Sequence, residues 1–294
     1  MKILVPATSA NLGPGFDTLG LSIALYNEIN ITPNPITTIS IKGEGEDKAH
    51  LKTKNSFVTI FNEKFYELTG NKENFRFDFH NKIPLSRGLG SSSAVIVGAI
   101  ASAYHLANKK VDKEEILNLA LAYESHPDNI APATFGGFTV SIVKDGRVFT
   151  QKKELPSEIC AILVIPDRAM STAKSRTQLP KHYSMKETVS NLSHAAALSV
   201  AFFNESWESL SFLSKDLMHE ERRMRQMPEL FEVRKVALNS GALMSTLSGS
   251  GSTFFNLAYK NEAKNIEKNL KKEFPHFKIL TLDFDNQGFF IKNS

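Results

Sequence analysis

Apolar positions along the chain switch between two periods. Phe75, Phe77 and Phe79 alternate with Arg76 and Asp78, which predicts a strand with one buried face. Alternation and β-branched residues predict strands over 27–32 and 38–42, and a short one over 2–5 that stops at Pro6. Phe57, Ile60, Phe61, Phe65 and Leu68 recur at helical spacing, so 56–69 reads as a helix with Gly70 as its C-cap. The stretch 84–93, PLSRGLGSSS, is a loop feeding an apolar helix that runs to Ala107. Asp112 and Glu115 open a second helix over 113–125. Segments 138–143 and 147–150 read as a hairpin, with Asp145-Gly146 as a type I′ turn.

A polar stretch over 151–158 contains Pro156 and marks the expected boundary between two domains, 1–155 and 156–294. Beyond it come a strand over 161–165, a polar loop over 171–180, a helix over 185–203 and a charged helical stretch over 219–228. A helix over 229–239 is closed by Gly241. Strands over 242–247 and 253–259 flank Ser248-Gly-Ser-Gly-Ser252. A charged amphipathic helix over 260–274 and strands over 278–282 and 289–292 finish the chain. Strands and helices interleave without regular βαβ alternation, which predicts an α+β fold.

Composition narrows the function classes. The chain has 294 residues, enough for about two domains, and 41% apolar with 22% charged residues excludes wholesale disorder. Lys plus Arg number 35 and Asp plus Glu 31, a net charge of +4 with no basic stripe. Nucleic acid is not expected as a partner, and small anions are. The single cysteine, Cys160, allows no internal disulfide and sits in an apolar run as a core residue. The most apolar stretch, 94–107, falls short of the ~20 residues that cross a bilayer. Only five residues precede Pro6, too few for a secretory signal. A cytoplasmic protein with no membrane partner is expected.

Three segments carry candidate chemistry. Gly88-Leu-Gly-Ser-Ser-Ser93 sits at a helix start, where flexible glycines and unpaired N–H groups attract phosphate. It lacks the Walker A pattern, and a serine-rich helix cap would look the same. The 248–252 loop alone reads as a plain turn, and two such loops in one chain point to a phosphate-holding cleft between domains. Glu124, followed by His126-Pro-Asp-Asn129, offers a hard oxygen ligand for Mg²⁺, although a solvated helix glutamate is the simpler alternative.

The segment Pro6-Ala-Thr-Ser-Ala-Asn-Leu-Gly-Pro-Gly-Phe-Asp-Thr-Leu-Gly20 resembles the opening of homoserine kinases, as does His126-Pro-Asp-Asn-Ile-Ala-Pro-Ala-Thr-Phe-Gly-Gly137. Pro84–Ala94 and Leu247–Phe255 resemble the second and third motifs of the wider superfamily of galactokinase, homoserine, mevalonate and phosphomevalonate (GHMP) kinases. The resemblance implies a ribosomal-protein-S5-like N-terminal domain and a ferredoxin-like C-terminal domain. It implies ATP-dependent phosphorylation of the side-chain hydroxyl of L-homoserine for threonine synthesis, with ATP and Mg²⁺ as cofactors and a homodimer as the possible assembly.

By similarity, Ser92 and Glu124 hold Mg²⁺. Pro84, Leu85, Ser86, Arg87, Gly88, Leu89, Gly90, Ser91, Ser92 and Ser93 surround the phosphates, with Gly249 and Gly251 opposite and Asn55 near the adenine. Asn11, Asp17, Asp128, Asn129, Arg176 and Arg223 surround homoserine. Asn129, Asp128, Glu124 and Ser92 form the catalytic set. A zwitterion needs a carboxylate for its ammonium and an arginine fork for its carboxylate, which this set supplies. Arg87 adds charge beside the loop. Position 129 is Asn where mevalonate-type members carry a catalytic Asp, which implies catalysis by positioning, with Asn129 orienting the hydroxyl. Ser252 stands where the third motif usually has proline, an exchange expected to loosen that loop. The alternatives are a sister kinase for another small hydroxyl compound, such as mevalonate or shikimate, and a non-catalytic nucleotide-binding module.

Overall fold

The computed structural model describes residues 1–170 and 172–292, and their side chains except those of 172–174. Strands β1 (Lys2–Ala10), β2 (Leu19–Pro33) and β3 (Thr38–Gly43) come first, then helices α1 (Ala49–Thr53) and α2 (Ser56–Thr69) and strand β4 (Phe75–Asn81). Helices α3 (Ser91–Leu106), α4 (Lys113–Ala120) and α5 (Pro127–Phe135) lead to the hairpin of β5 (Phe138–Lys144) and β6 (Arg147–Lys153). The second half opens with β7 (Ile159–Ile165) and helices α6 (Thr172–Thr177), α7 (Met185–Phe203), α8 (Leu210–Leu213), α9 (Glu220–Met224) and α10 (Glu229–Asn239). Strands β8 (Met244–Leu247) and β9 (Phe254–Tyr259), helix α11 (Lys260–Glu273), and strands β10 (Lys278–Leu282) and β11 (Phe290–Lys292) complete it.

Two sheets result. The first has seven strands in the order β11-β1-β2-β4-β3, with β5 also paired to β2 and β6 to β5. Only β3 and β4 run parallel. The second is antiparallel, in the order β10-β7-β9-β8, with α10 and α11 packed on it, a ferredoxin-like arrangement. The fold is α+β, as the pattern predicts. The last strand crosses back: β11 pairs with β1 at Lys2↔Lys292 through Leu4↔Phe290. The main apolar core draws on both sheets, with Ile3, Phe77 and Phe138 beside Leu163, Phe202 and Phe255, so the walls of any cleft between the halves share a packed base.

Local rules explain the elements that frame the site. Asn55 caps α2 through its side-chain oxygen, and Gly70 ends it at φ 72°, where a side chain would be strained. Phe57, Phe61 and Phe65 of that helix meet the buried row Phe75, Phe77 and Phe79 of β4 edge to face. The hairpin turn has positive φ at both Asp145 and Gly146, as a type I′ turn requires. Cys160 is buried, and burial pushes its thiol up to about 11.

Five expectations need correction. Strand β1 continues through Pro6 to Ala10, because the register shifts between Pro6 and Ala7 and the bulge absorbs the missing N–H. Strand β2 starts at Leu19 rather than at residue 27, since 19–21 pairs with β5 and Gly20 and Leu21 pair with β1 as well. Helix α4 stops at Ala120, and tight turns at Ala122 and Tyr123 carry the chain to Glu124. The stretch after His126, left without structure by the hydrophobic pattern, is helix α5, with Pro127 in its first turn and Gly136 closing it. Within the segment read as a polar loop, 172–177 is helical.

Candidate active site

A cleft of 720 Å³ opens between the halves, lined by the 84–93 loop, the turn after β1, the start of α5, residues of α6 and α9, and the 249–250 backbone. Every site residue read from the sequence lines it except Gly251. Gly251 stands behind the wall, where a Cβ would meet Met170 at 2.9 Å and Leu247 at 3.0 Å.

The end of the cleft at the 84–93 loop is built from backbone. Gly90 caps α3 at φ 67°, and a Cβ there would lie 1.9 Å from Thr8 Oγ1. Gly88 has φ 76°, and its Cβ would fall 2.1 Å from the Ser248 carbonyl oxygen. The two glycine loops are stitched directly. The Thr253 N–H donates to Arg87 O at 3.0 Å, and Ser248 Oγ donates to Gly88 O at 2.6 Å. This leaves the start of α3 facing the cleft, with Ser91 and Ser92 accessible and Ser93 buried. Arg87 does not stand free beside the loop. Its guanidinium donates to Pro166 O at 2.9 Å, Leu85 O at 3.1 Å and Asp167 O, tying the loop to the other half. Ser252 does not loosen the third motif either, because its buried hydroxyl donates to Arg168 O at 2.6 Å.

The other end is built from side-chain charge. Arg176 forms a two-pronged pair with Asp17, at 3.0 and 2.7 Å. Asp17 sits at φ 56°, held by its N–H donating to Asn11 Oδ1 at 3.0 Å. Asn11 in turn donates to Gly249 O at 3.1 Å, so it positions Asp17 rather than standing as a bare contact. Asp128, in the first turn of α5, is buried. Burial, with the charges of Asp17 and Glu124 nearby, pushes its carboxyl up to about 7 against the pull of Arg176 and Arg223. Arg223 is 2% exposed and donates to Gly249 O at 3.0 Å, while its Nε–H has no partner. Asn129 accepts from Thr8 Oγ1 at 2.6 Å, which leaves its amide NH₂ turned toward Asp128 at 3.5 Å.

The family follows from comparison. Residues 55–137 match the GHMP kinases N-terminal domain and residues 196–276 the GHMP kinases C-terminal domain. A homoserine kinase of Campylobacter concisus is 58% identical over 294 residues, all of both chains. The chain belongs to the homoserine kinases. A crystal structure of a homoserine kinase from Cytophaga hutchinsonii superposes with a TM-score of 0.88 at 26% identity, covering 99% of this chain and 96% of that one. A Methanococcus jannaschii mevalonate kinase, at 16% identity, has a TM-score of 0.70 over 97% and 98% of the two chains and shows the shared fold.

Homoserine kinase motifs named most of the site, but the structure adds residues that sequence reasoning passed over. Thr8 lay inside the N-terminal motif and escaped notice because its partner is 121 positions away. His126 lies 3.3 Å from Glu124 and 3.6 Å from Asp17, linking the two carboxylates. His219 is fully buried, and burial pushes its imidazole down to about 4. Held neutral, it accepts from Arg223 at 3.1 Å through Nδ1 and donates to Gly13 O at 2.8 Å through Nε2. Nothing local in the sequence marks it. Ile41, Leu51, Phe57, Phe79 and Val95 give the cleft an apolar portion. Asn55 lines it too, but its side chain is committed to capping α2 and to Leu51 O.

For a metal, the donor chemistry fits. Ser92 offers an accessible hydroxyl and Glu124 a partly exposed carboxylate with His126 Nδ1 at 3.3 Å. Mg²⁺ commonly takes one or two protein oxygens and completes its shell with water and phosphate. Among the described residues no group of three or more His, Cys, Asp or Glu could hold a metal.

Proposed function

We propose that this protein transfers the terminal phosphoryl group of ATP to the side-chain hydroxyl of L-homoserine, giving O-phospho-L-homoserine for threonine synthesis. The observation that carries the reading is the convergence of Asp17, Arg176, Asp128 and Arg223 in the cleft that the glycine loop enters. Two carboxylates and two guanidiniums form a set matched to a zwitterion. The homoserine ammonium lies against Asp17 and Asp128, where a cation relieves their mutual repulsion. The carboxylate lies against the Arg176 guanidinium, on the donors its fork to Asp17 leaves open, and beside Arg223, both of which line the cleft.

The phosphates rest on the N–H groups at the start of α3, between Gly88 and Ser93, with Gly249 opposite. The apolar portion around Phe57 and Phe79 receives the base. Ser92 and Glu124 would hold Mg²⁺, which supplies charge neutralisation on the phosphates. Asn129, pinned by Thr8, points its NH₂ at the acceptor hydroxyl. Phosphoryl transfer needs little covalent help, so orientation and charge neutralisation suffice, and Asp128 beside Asn129 is the group placed to take the hydroxyl proton.

The chain divides at 155/156 in this reading, supported by the change of sheet between Lys153 and Ile159. No helix among the described residues is long and apolar enough to cross a membrane, in keeping with work in the cytoplasm. A homodimer forms through α7, whose outward row Met185, Val189, Leu192, Val200 and Phe203 is exposed. The row nearly mirrors itself about residue 194, so an antiparallel second copy sets Met185 against Phe203 and Val189 against Val200. Sedimentation should show a dimer that Leu192→Glu converts to monomer, and a wild-type monomer would refute this assembly.

The function is tested by ADP release from Mg-ATP with homoserine, threonine, serine, mevalonate and shikimate. Homoserine alone should stimulate it strongly. No stimulation by homoserine would sink the assignment.

A further inference from the structure

The two arginines that face homoserine come from different helices of the second half, Arg176 from α6 and Arg223 from α9. Arg223 is pushed below the usual guanidinium value, first by burial and then by the charge of Arg176. Something must hold two like charges in one cleft before substrate arrives. Asp17 anchors the first, and Gly249 O with His219 anchors the second. One residue touches both.

The Phe16 ring lies under the Arg176 guanidinium at 5.0 Å and under the Arg223 guanidinium at 5.3 Å. Its ring also meets His219 at 5.1 Å, the residue that fixes Arg223. Phe16 belongs to the turn that carries Asp17, so one short segment of the first half gathers both cations of the second. The turn itself is firm. A Cβ on Gly15 would meet the Leu19 side chain at 2.2 Å, and Gly13 at φ 80° presents its carbonyl to His219.

We propose that Phe16 is a positioning residue for the reaction, whose aromatic face holds Arg176 and Arg223 at the separation a substrate carboxylate needs. This rests on the reading of those arginines as homoserine ligands. The negative face of an aromatic ring attracts cations and spreads their repulsion, whereas an aliphatic side chain of similar bulk fills the space without doing so. Preorganised donors bind the carboxylate without first being driven together. The effect should fall on homoserine and leave the nucleotide end untouched, because Phe16 does not line the phosphate loop.

The experiment compares steady-state kinetics and melting of Phe16→Leu, Phe16→Met, Phe16→Tyr and Arg176→Lys with the wild type. Leu and Met are two independent non-aromatic side chains, so one that misfolds leaves the other to decide. The homoserine KM should rise about tenfold in Phe16→Leu and Phe16→Met, with the ATP KM within about twofold and melting little changed. Phe16→Tyr should stay within about threefold of the wild type, since it keeps the ring. An unchanged homoserine KM in the folded non-aromatic variants would overturn the proposal. So would an ATP KM rising in step, or a Tyr variant as impaired as Leu. Arg176→Lys separates the premise from the proposal. If it leaves the homoserine KM unmoved, the assignment of Arg176 itself fails, whatever the Phe16 variants do.

Discussion

The two ends of the cleft are made from different materials. The end proposed for phosphate is main chain: Gly88 and Gly90 at positive φ, two loops bonded carbonyl to N–H, and the start of α3. The end proposed for homoserine is side chain: Asp17 with Arg176, buried Asp128, and buried Arg223 braced by His219. A backbone site depends on what residues must not carry. A side-chain site depends on which charges are brought together. The first tolerates no added atom, and the second tolerates no lost charge or fork.

Substitutions at the two ends should therefore fail in different ways. The largest loss is expected at the metal. Glu124→Gln should lower turnover about 10³-fold while melting stays put, since only a charge is removed. Near-normal turnover would remove Glu124 from the metal site. Gly90→Ala comes next. Its methyl would collide with Thr8 Oγ1 and disturb the Thr8–Asn129 bond, and misplacement of that size should cost about 10²-fold in kcat/KM. Steady-state rates with circular dichroism check that the fold survives. Arg176→Lys keeps the charge but loses the fork to Asp17, so the homoserine KM should rise about tenfold with the ATP KM unmoved. A defect confined to ATP would place Arg176 at the wrong end.

The smallest expected effect is on pH dependence. Asp128 titrates near 7 because burial and two neighbouring carboxylates favour its neutral form. Above that pH it is charged and can face the ammonium, and below it the carboxyl is protonated. Homoserine kcat/KM should thus fall about tenfold per pH unit below about 7. Asp128→Asn should be less active at neutral pH and lose that slope. A slope that persists in the variant would assign the titration elsewhere.

The same contrast explains what the sequence made legible. The phosphate end could be read because its signal is local: glycines and serines at fixed spacing before an apolar helix. Helices 56–69 and 185–203 were legible in the same way, from period and caps. The homoserine end was named through motif resemblance, but its wiring was not. Arg176 meets Asp17 across 159 positions, His219 reaches Gly13 across 206, and Asn11 reaches Gly249 across 238. No periodicity encodes such pairs. Helix α5 was missed because two prolines and a Pro-Asp-Asn run look like a turn, although proline suits a helix's first position. The return of β11 to the first sheet was equally invisible, since pairing with β1 leaves no mark on a three-residue strand.

The claim common to both halves of the comparison is that one end of the cleft recognises both charges of an amino acid while the other holds the nucleotide. It is tested most directly by turnover of homoserine against two analogues of it, 3-aminopropan-1-ol, which lacks the carboxylate, and 4-hydroxybutanoate, which lacks the ammonium. The account predicts that kcat/KM falls about 100-fold or more for each, with the ATP KM unchanged. An analogue phosphorylated as well as homoserine would contradict it.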